Sequence, residues 1–199
     1  MGVSNTGTGR RVVKKKIGLA GRSGGGKDVI ADIICDTYLY RKIAVADGIR
    51  DECSDFLNSC LTDGKYLSNP EGFEVVTNAF RDMIWEKPTP TGIRVLLQWY
   101  GTEYRRTQNP DYWTNLLANR LDNEDSIVVS DVRTPEEMRV IREAGGEIWS
   151  VHRPGVEPVG ISNHFTEVAL EGATFDRHVE NDGTLDDLSQ RVDWIMKQC

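Results

Sequence analysis

The stretch that decides the fold of this chain is Gly21-Arg22-Ser23-Gly24-Gly25-Gly26-Lys27-Asp28. It matches the pattern G-x-x-x-x-G-K of a phosphate-binding loop. Glycines let successive backbone N–H groups point inward around a phosphate, and the N-terminus of a following helix adds a partial positive charge. Lys27 then reaches the β- and γ-phosphates as a point charge. The stretch, with Val29 after it, therefore predicts a site for nucleotide phosphates rather than a glycine-rich turn without a ligand.

The residues on either side of this loop supply the context that the motif requires. The apolar residues Ile17, Leu19 and Ala20 before it predict a short strand. The apolar residues after it recur at helical spacing and predict a helix with one buried face: Ile30, Ile33, Ile34 and Tyr38. Strand, loop and helix in that order open an α/β domain.

Further strands are predicted at 43–46, 126–130, 147–152 and 175–180, and the first two end on Asp47 and Asp131. The apolar run at 126–130 is typical of a strand buried on both faces, as in a parallel sheet. Over 48–121 the periodicity is helical, which predicts an inserted helical region rather than a simple crossover. We expect residues 1–14 to form a disordered tail and residues 15–199 a single domain.

The composition excludes several classes of protein. The chain has 199 residues and a formal net charge of −7, with 39% hydrophobic residues, which describes an ordinary folded domain. A pI of about 5.1 argues against sequence-blind nucleic-acid binding. No apolar run is long enough for a membrane span, and no secretory signal is evident. Four cysteines without metal spacing indicate free thiols, and we expect a cytoplasmic protein.

Asp28 stands where this motif usually has Ser or Thr, whose hydroxyl would ligate Mg²⁺. A carboxylate there serves as a metal ligand directly or through water, because Mg²⁺ favours oxygen ligands. The alternative is a simple acidic residue at a helix N-terminus, which the helix dipole favours. An unpaired acid beside nucleotide phosphates would be repelled, so we expect a cation near Asp28.

Several further stretches resemble one known family, the deoxynucleoside monophosphate kinases of bacteriophages. The resemblance extends over most of the chain after the tail, and it rests on the following matches in this order: Gly26-Lys27-Asp28; Leu97-Gln98-Trp99-Tyr100-Gly101-Thr102-Glu103-Tyr104-Arg105-Arg106; Asp111-Tyr112-Trp113; Asp131-Val132-Arg133; Arg153-Pro154; Thr166-Glu167; and Asn181-Asp182-Gly183-Thr184. Two residues depart from the family pattern. Relatives usually have Thr where this chain has Val29, and a small residue is common at the position of Arg105.

The resemblance implies a three-layer P-loop kinase fold with a central parallel sheet. It also implies transfer of the γ-phosphoryl group of ATP to a deoxynucleoside monophosphate, with Mg²⁺ as cofactor. In this interpretation the helical insertion 48–121 binds the acceptor, and a short lid spans 153–166 with Arg153 at its hinge. The runner-up is an animal-type phosphomevalonate kinase or another small-molecule P-loop kinase. A nucleotide-binding regulatory protein without turnover is the non-enzymatic alternative. The oligomeric state, a homodimer included, is left open.

Candidate site residues beyond the loop are charged or aromatic. Asp131 follows a buried strand, where it could orient Mg²⁺ or accept a proton, and Arg133 could contact the acceptor phosphate. Arg105 and Arg106 are predicted to lie on a loop after an apolar helix. Paired guanidiniums suit phosphate recognition, and neighbouring aromatic rings could stack a base. The candidates for acceptor binding are Asp47, Arg50, Trp99, Arg105, Arg106, Asp131 and Arg133. The alternatives are a strand-end acid, solvated arginines and, for Trp99, a place in the core.

Overall fold

Five parallel strands form one sheet in the order β2-β3-β1-β4-β5. The computed structural model describes residues 15–63, 70–123, 126–155, 170 and 172–198, with side chains 60–77 outside this description. Within these ranges the strands are β1 (Lys16–Ala20), β2 (Arg41–Ile43), β3 (Ile127–Val132), β4 (Glu147–His152) and β5 (Arg177–Glu180). The strand that follows the helical region, β3, therefore lies directly beside the strand that leads into the glycine loop.

Helices connect these strands, and most of them lie between β2 and β3. The described helices are α1 (Lys27–Tyr38), α2 (Val45–Asp63), α3 (Pro70–Trp85), α4 (Thr91–Gln98), the π-helical segment Trp99–Arg105, α5 (Arg106–Gln108), α6 (Tyr112–Asp122), α7 (Pro135–Glu143) and α8 (Leu185–Gln198). Most of the described residues in the stretch 48–121 are thus helical, as the periodicity predicts. No helix in the described part of the chain has the length and apolar character that a membrane span needs.

The core has two halves, one on each face of the sheet. Because successive side chains of a strand point to opposite faces, Ile17 and Leu19 pack with α1 and α8, while Ala20 packs on the other face. The first half includes Ile30, Ile34, Trp149, Leu188 and Val192. The second half includes Leu117, Leu121, Met138, Ile141 and Ile148, from α6, α7 and β4. This arrangement confirms the predicted three-layer α/β fold with a central parallel sheet.

A third apolar cluster lies within the helical region itself. Cys53 of α2, Tyr100 of the π-helical segment and Trp113 of α6 are its buried members. The indole N–H of Trp113 donates to the carbonyl oxygen of Gly101 at 2.8 Å, which satisfies a buried polar group. The helices between β2 and β3 therefore have a core of their own beside the sheet.

Four local predictions are wrong. The second strand ends at Ile43 rather than at residue 46, so Asp47 lies in the first turn of α2. Arg105 and Arg106 lie on helical turns rather than in a loop. The strand predicted at 126–130 runs over Ile127–Val132, so Asp131 lies within it rather than after it. The last strand begins at Arg177 rather than at residue 175. The first error has a clear cause, because a carboxylate from β3 satisfies the first N–H groups of α2 and lets the helix begin at Val45.

That carboxylate belongs to Asp131, which lies at the penultimate position of β3. Its Oδ1 accepts from the N–H of Val45 at 2.8 Å, and its Oδ2 accepts from the N–H of Ala46 at 2.9 Å. Helix N-termini have unsatisfied N–H groups and a partial positive charge, and a carboxylate offsets both. Asp131 thus joins the end of a central strand to the beginning of the helical region.

We predict that Asp131→Asn lowers the free energy of unfolding by about 1–3 kcal/mol, because an amide NH₂ would replace one of the two acceptors. Urea denaturation with the wild type and the variant checks this value. Asp36→Asn is the matched control, since Asp36 is exposed on α1, and surface substitutions usually change stability by less than about 0.5 kcal/mol. Equal losses in the two variants would contradict a special role for Asp131.

Candidate active site

The glycine loop lies between β1 and α1, at the carboxyl edge of the parallel sheet. Gly21 and Gly26 have φ angles of 145° and 98°, which L side chains rarely adopt. A Cβ at Gly21 would lie 2.3 Å from the carbonyl oxygen of Val151, and one at Gly26 would lie 2.3 Å from Nδ2 of Asn181. Backbone conformation and lack of space therefore both require glycine at these two positions.

Lys27 is the first residue of α1, and its ammonium lies over the loop. Its Nζ donates to the carbonyl oxygen of Gly21 at 2.7 Å and to that of Arg22 at 2.8 Å. The side chain therefore follows the loop instead of extending away from it. This places a cation among backbone groups of the predicted phosphate site, as the motif requires.

Asn181 supports the loop from the end of β5. Its side-chain Nδ2 donates to the carbonyl oxygen of Gly25 at 2.9 Å, and its backbone N–H donates to the carbonyl oxygen of His152 at 2.7 Å. The sequence marks Asn181 only as part of a terminal motif, and no local pattern shows that it contacts the loop. Its role depends on β5 lying at one end of the sheet, 156 residues from Gly25 along the chain.

Lys42 of β2 is the cation that accompanies Asp28. Its Nζ lies 2.8 Å from Oδ1 of Asp28 and 3.0 Å from Oδ1 of Asp32. Partial burial raises the pKa of Asp28, but the hydrogen bond and charge of Lys42, with smaller contributions from Lys87 and Lys27, outweigh burial and bring the pKa below its ordinary value. Asp28 is therefore an ionised carboxylate at the end of the loop.

The first turns of α2 bring together Asp47 and Arg50. Asp47 Oδ1 lies 3.1 Å from Nη1 of Arg50. Partial burial raises the pKa of Asp47, and the nearby charge of Asp131 adds to this, while Arg50 and Lys87 offset part of it. Arg50 also donates from Nε to the carbonyl oxygen of Ile84 at 3.2 Å, so it ties α2 to the end of α3.

Arg105 and Arg106 are adjacent in sequence but have different partners. Arg105 Nε donates to Oε2 of Glu52 on α2 at 2.8 Å. Its guanidinium carbon lies 5.0 Å from the ring centre of Tyr112 and 5.7 Å from that of Tyr100. Tyr112 also donates to the same carboxylate. The structure thus places Arg105 in an aromatic and anionic setting within the helical region.

Arg106 points instead toward α7. Its Nη2 lies 3.9 Å from Oε1 of Glu137, a buried carboxylate in the first turn of that helix. The other oxygen of Glu137 accepts from the backbone N–H groups of Arg133 and Thr134, at 2.7 and 3.2 Å. The structure therefore links Arg106 and the backbone of Arg133, but it does not give Arg105 and Arg106 a shared partner.

The remaining predicted residues lie on the surface around this edge. Trp99 is 39% exposed, and its ring centre lies 5.5 Å from that of Tyr104. Val29 is exposed on the first turn of α1. Arg153 is exposed directly after β4. Most of the predicted lid, at 156–166, lies outside the described residues, so the lid stays a prediction.

Three residues of this edge were missed from sequence: Lys42, Glu52 and Glu137. For Glu137 a signal exists, because Thr134 followed three residues later by Glu is the pattern of a capping box, and the structure contains that box. For Lys42 and Glu52 no local pattern exists. The partners of Lys42 lie on α1, and Glu52 pairs with Arg105 of the π-helical segment.

The family of this chain follows from a comparison with protein-family models. The model described as deoxynucleotide monophosphate kinase matches residues 55–192. This chain belongs to the deoxynucleotide monophosphate kinase family. The membership confirms the resemblance to phage deoxynucleoside monophosphate kinases. The matched range begins after the glycine loop, so the loop is an observation separate from this match.

Two viral relatives carry the name of this kinase family. A protein of Acanthamoeba polyphaga mimivirus whose name assigns it to this family is 27% identical over 195 residues, which is 88% of this chain and 93% of that protein. The deoxynucleotide monophosphate kinase of Escherichia phage RB69 is 31% identical over 80% of this chain, which spans only 63% of the phage protein. The crystal structure of a shikimate kinase from Aquifex aeolicus vf5 aligns with 92% of this chain and 96% of its own, at 14% identity and a TM-score of 0.48.

The kinase should show a pH-dependent stability that depends on Glu137. Burial, and to a smaller extent the charge of Asp131, raise the pKa of this carboxyl, while the N–H groups of Arg133 and Thr134 and the charge of Arg106 lower it, and the net pKa rises from 4.5 to about 7. Between pH 4.5 and about pH 7 the carboxyl of Glu137 is protonated in the native state and ionised in the unfolded chain. The free energy of unfolding contributed by this group therefore falls as the pH rises through that window.

We predict that the stability of the wild type relative to Glu137→Gln declines as the pH rises from 4.5 to about 7, because glutamine does not titrate. Urea unfolding of both proteins at several pH values checks this. Glu143→Gln is the matched control, since Glu143 is an exposed residue of the same helix. A difference between wild type and Glu137→Gln that stays constant with pH would contradict the prediction.

Proposed function

We propose that this chain transfers the γ-phosphoryl group of ATP to deoxynucleoside monophosphates and so forms the diphosphates. The observation that carries the proposal is the glycine loop with Lys27 folded over it, beside the end of β3, in a chain of the deoxynucleotide monophosphate kinase family. Phosphoryl transfer needs no protein nucleophile, because positioning and charge neutralisation supply most of the catalysis. A glycine loop, carboxylates and guanidiniums at one edge of a sheet can supply this positioning and charge neutralisation.

In this proposal residues 21–29 bind the phosphates of ATP. The backbone N–H groups of the loop and the N-terminus of α1 face the phosphates, and Lys27 neutralises the charge that develops between the β- and γ-phosphates. For Lys27 this requires its ammonium to exchange the carbonyl oxygens of Gly21 and Arg22 for phosphate oxygens, which are stronger acceptors because they are charged.

The residues present fit a magnesium ion held mainly by the nucleotide. The described residues contain no group of three or more His, Cys, Asp or Glu placed to hold a metal, but Mg²⁺ is usually bound by one or two carboxylates together with substrate phosphates. Asp28, ionised and with its side chain 61% exposed, supplies such a carboxylate. When bound, the ion would neutralise charge on the β- and γ-phosphates. Asp131 already accepts from two N–H groups of α2, so its principal task is to position that helix.

We place the acceptor between the helical region and the end of β3. Asp47 and Arg50 lie on the first turns of α2, and Glu137 contacts the guanidinium of Arg106 and the backbone N–H of Arg133, whose own side chain is exposed. Guanidiniums bind phosphate in a two-pronged geometry, so Arg106 and Arg133 are suited to the monophosphate. The aromatic cluster of Trp99, Arg105 and their neighbours is the candidate site for the base.

Arg153 completes the proposal at the other side of the loop. It follows β4, whose last residues lie beside the end of β5 and the loop-supporting Asn181. A kinase must exclude water from the transferred phosphoryl group, so a cover over the site is expected. We propose that Arg153 and the segment 153–166 form this cover. We also propose that the kinase acts in the cytoplasm.

The activity is tested by measuring ADP release, with a coupled assay, against a set of acceptors. The set contains the deoxy- and ribonucleoside monophosphates and phosphomevalonate. We expect turnover with one or more deoxynucleoside monophosphates. Turnover of phosphomevalonate alone would replace the proposed acceptor with a different one, and ATP binding without turnover of any acceptor would favour a regulatory nucleotide-binding protein.

We predict that Lys27→Ala lowers kcat by roughly 10²-fold or more, because the lost cation acts on charge that develops in the transition state. The fold should remain intact, since the contacts of the ammonium with the carbonyl oxygens of Gly21 and Arg22 are exposed. Steady-state kinetics and circular dichroism check the two statements. Lys197→Ala is the control, because Lys197 lies on the last turn of α8 and pairs with Asp193. If Lys27→Ala kept most of its kcat, the glycine loop would have no catalytic role.

A further inference from the structure

Glu137 is a buried carboxylate that contacts Arg106 and the backbone of Arg133, two residues that we propose bind the acceptor. Its side chain is only 4% exposed, although it lies in the first turn of α7, where acidic residues are usually solvated. Oε2 accepts from the N–H of Arg133 at 2.7 Å and from that of Thr134 at 3.2 Å. Oε1 lies 3.9 Å from Nη2 of Arg106.

A capping box alone does not account for this arrangement. In such a box the side chain of the third helical residue needs to reach only the backbone N–H of the capping residue, here Thr134. A solvated glutamate or glutamine performs that task. Burying a carboxylate is costly unless the charge has partners, and the charged partner of Glu137 is Arg106, from a helix that precedes β3 in the chain. The second oxygen thus serves a contact that helix capping does not require.

The two ends of this contact lie on different parts of the fold. Arg106 belongs to α5 and follows the π-helical segment of the helical region, whereas Arg133 directly follows β3 of the sheet. One carboxylate therefore sets the distance between an arginine of the helical region and the chain that leaves β3. A guanidinium held in this way has fewer rotamers to lose when it binds an anion.

We propose that Glu137 is a positioning residue, which orients Arg106 toward the acceptor phosphate and fixes the backbone at Arg133 relative to it. The inference rests on the proposed function, because it assumes that Arg106 contacts the acceptor. Glu137 itself does not touch the substrate. Its loss should weaken binding of the acceptor while binding of ATP, on the other side of β3, stays unchanged.

The test uses Glu137→Gln at about pH 8, above the pKa of about 7 of this carboxyl. Glutamine keeps an oxygen for the two backbone N–H groups and loses the charge that faces Arg106. Two measurements are made with each of the four common deoxynucleoside 5′-monophosphates: the acceptor KM, and the Kd by titration calorimetry. We expect both to rise about tenfold, as misplacement of a binding group predicts, with the KM for ATP unchanged.

Two controls separate positioning from simple loss of stability. Thr134→Val removes the hydroxyl that accepts from the N–H of Glu137 at 3.3 Å, so it weakens the cap without touching Arg106. It should lower the melting temperature and leave the acceptor Kd unchanged. Glu143→Gln makes the same chemical change at an exposed position of α7 and should change neither quantity.

A double-mutant cycle with Arg106→Gln then tests whether Glu137 acts through Arg106. We expect Arg106→Gln to weaken acceptor binding, and Glu137→Gln to have no further effect in that background. If Glu137→Gln does not fold, Arg106→Gln carries the test alone. It should raise the pKa of the Glu137 carboxyl, followed by ¹³C NMR, because the neighbouring positive charge is lost.

The outcomes distinguish this inference from the proposed function. Turnover by the wild type, together with independent effects of the two substitutions or an unchanged Kd in Glu137→Gln, would overturn the positioning role alone. Binding of a monophosphate without turnover, but with coupling between the two positions, would overturn the proposed function and support the positioning role. Absence of both turnover and monophosphate binding would overturn both, and an unchanged pKa in Arg106→Gln would show that the two groups are not paired.

Discussion

The hydrogen bonds from α2 to the carboxylate of Asp131 are the contact on which the arrangement of this molecule depends. They join the second-last residue of the strand beside β1 to the first two residues of the helical region. The helical region departs from the sheet at β2 and returns to it at β3, and this contact fixes the beginning of α2 while α6 packs on the sheet through Leu117 and Leu121. With it, Asp47 and Arg50 are held at the same edge of the sheet as the glycine loop.

Carboxylates also hold the cations of this edge, in a chain whose net charge is −7. Asp28 pairs with Lys42, Asp47 with Arg50, Glu52 with Arg105 and Glu137 with Arg106. The first three of these pairs are at partly exposed positions, where ion pairs contribute little to stability. Their larger effect is on orientation, because each long side chain is restricted before any ligand arrives. The cations of this acidic protein are therefore held in defined places by neighbouring carboxylates.

Much of this fold could be predicted from the sequence, because its determinants are local. The glycine loop needs a strand before it and a helix after it, and alternating apolar residues define the buried faces of both. The boundary at Val45 could not be predicted, since the acceptor that caps α2 lies 86 residues away. The helical turns around Arg105 depend on Glu52, 53 residues earlier. The pattern that marks Glu137 as a helix cap was readable in the sequence, but its burial arises only when α7 packs beside α6 and α5.

The π-helical segment Trp99–Arg105 has a consequence for how this family can vary. Such a segment holds an extra residue within an otherwise α-helical run, because its turns contain more residues than α-helical turns. If one residue were removed there, the run would close as a regular α-helix and Arg106 would keep its direction toward Glu137. The same removal from the α-helical turns of α4 would rotate the following side chains by about 100° about the helix axis and turn Arg106 away from Glu137. The π-helical segment is thus the part of this helical run that best accommodates a change of chain length.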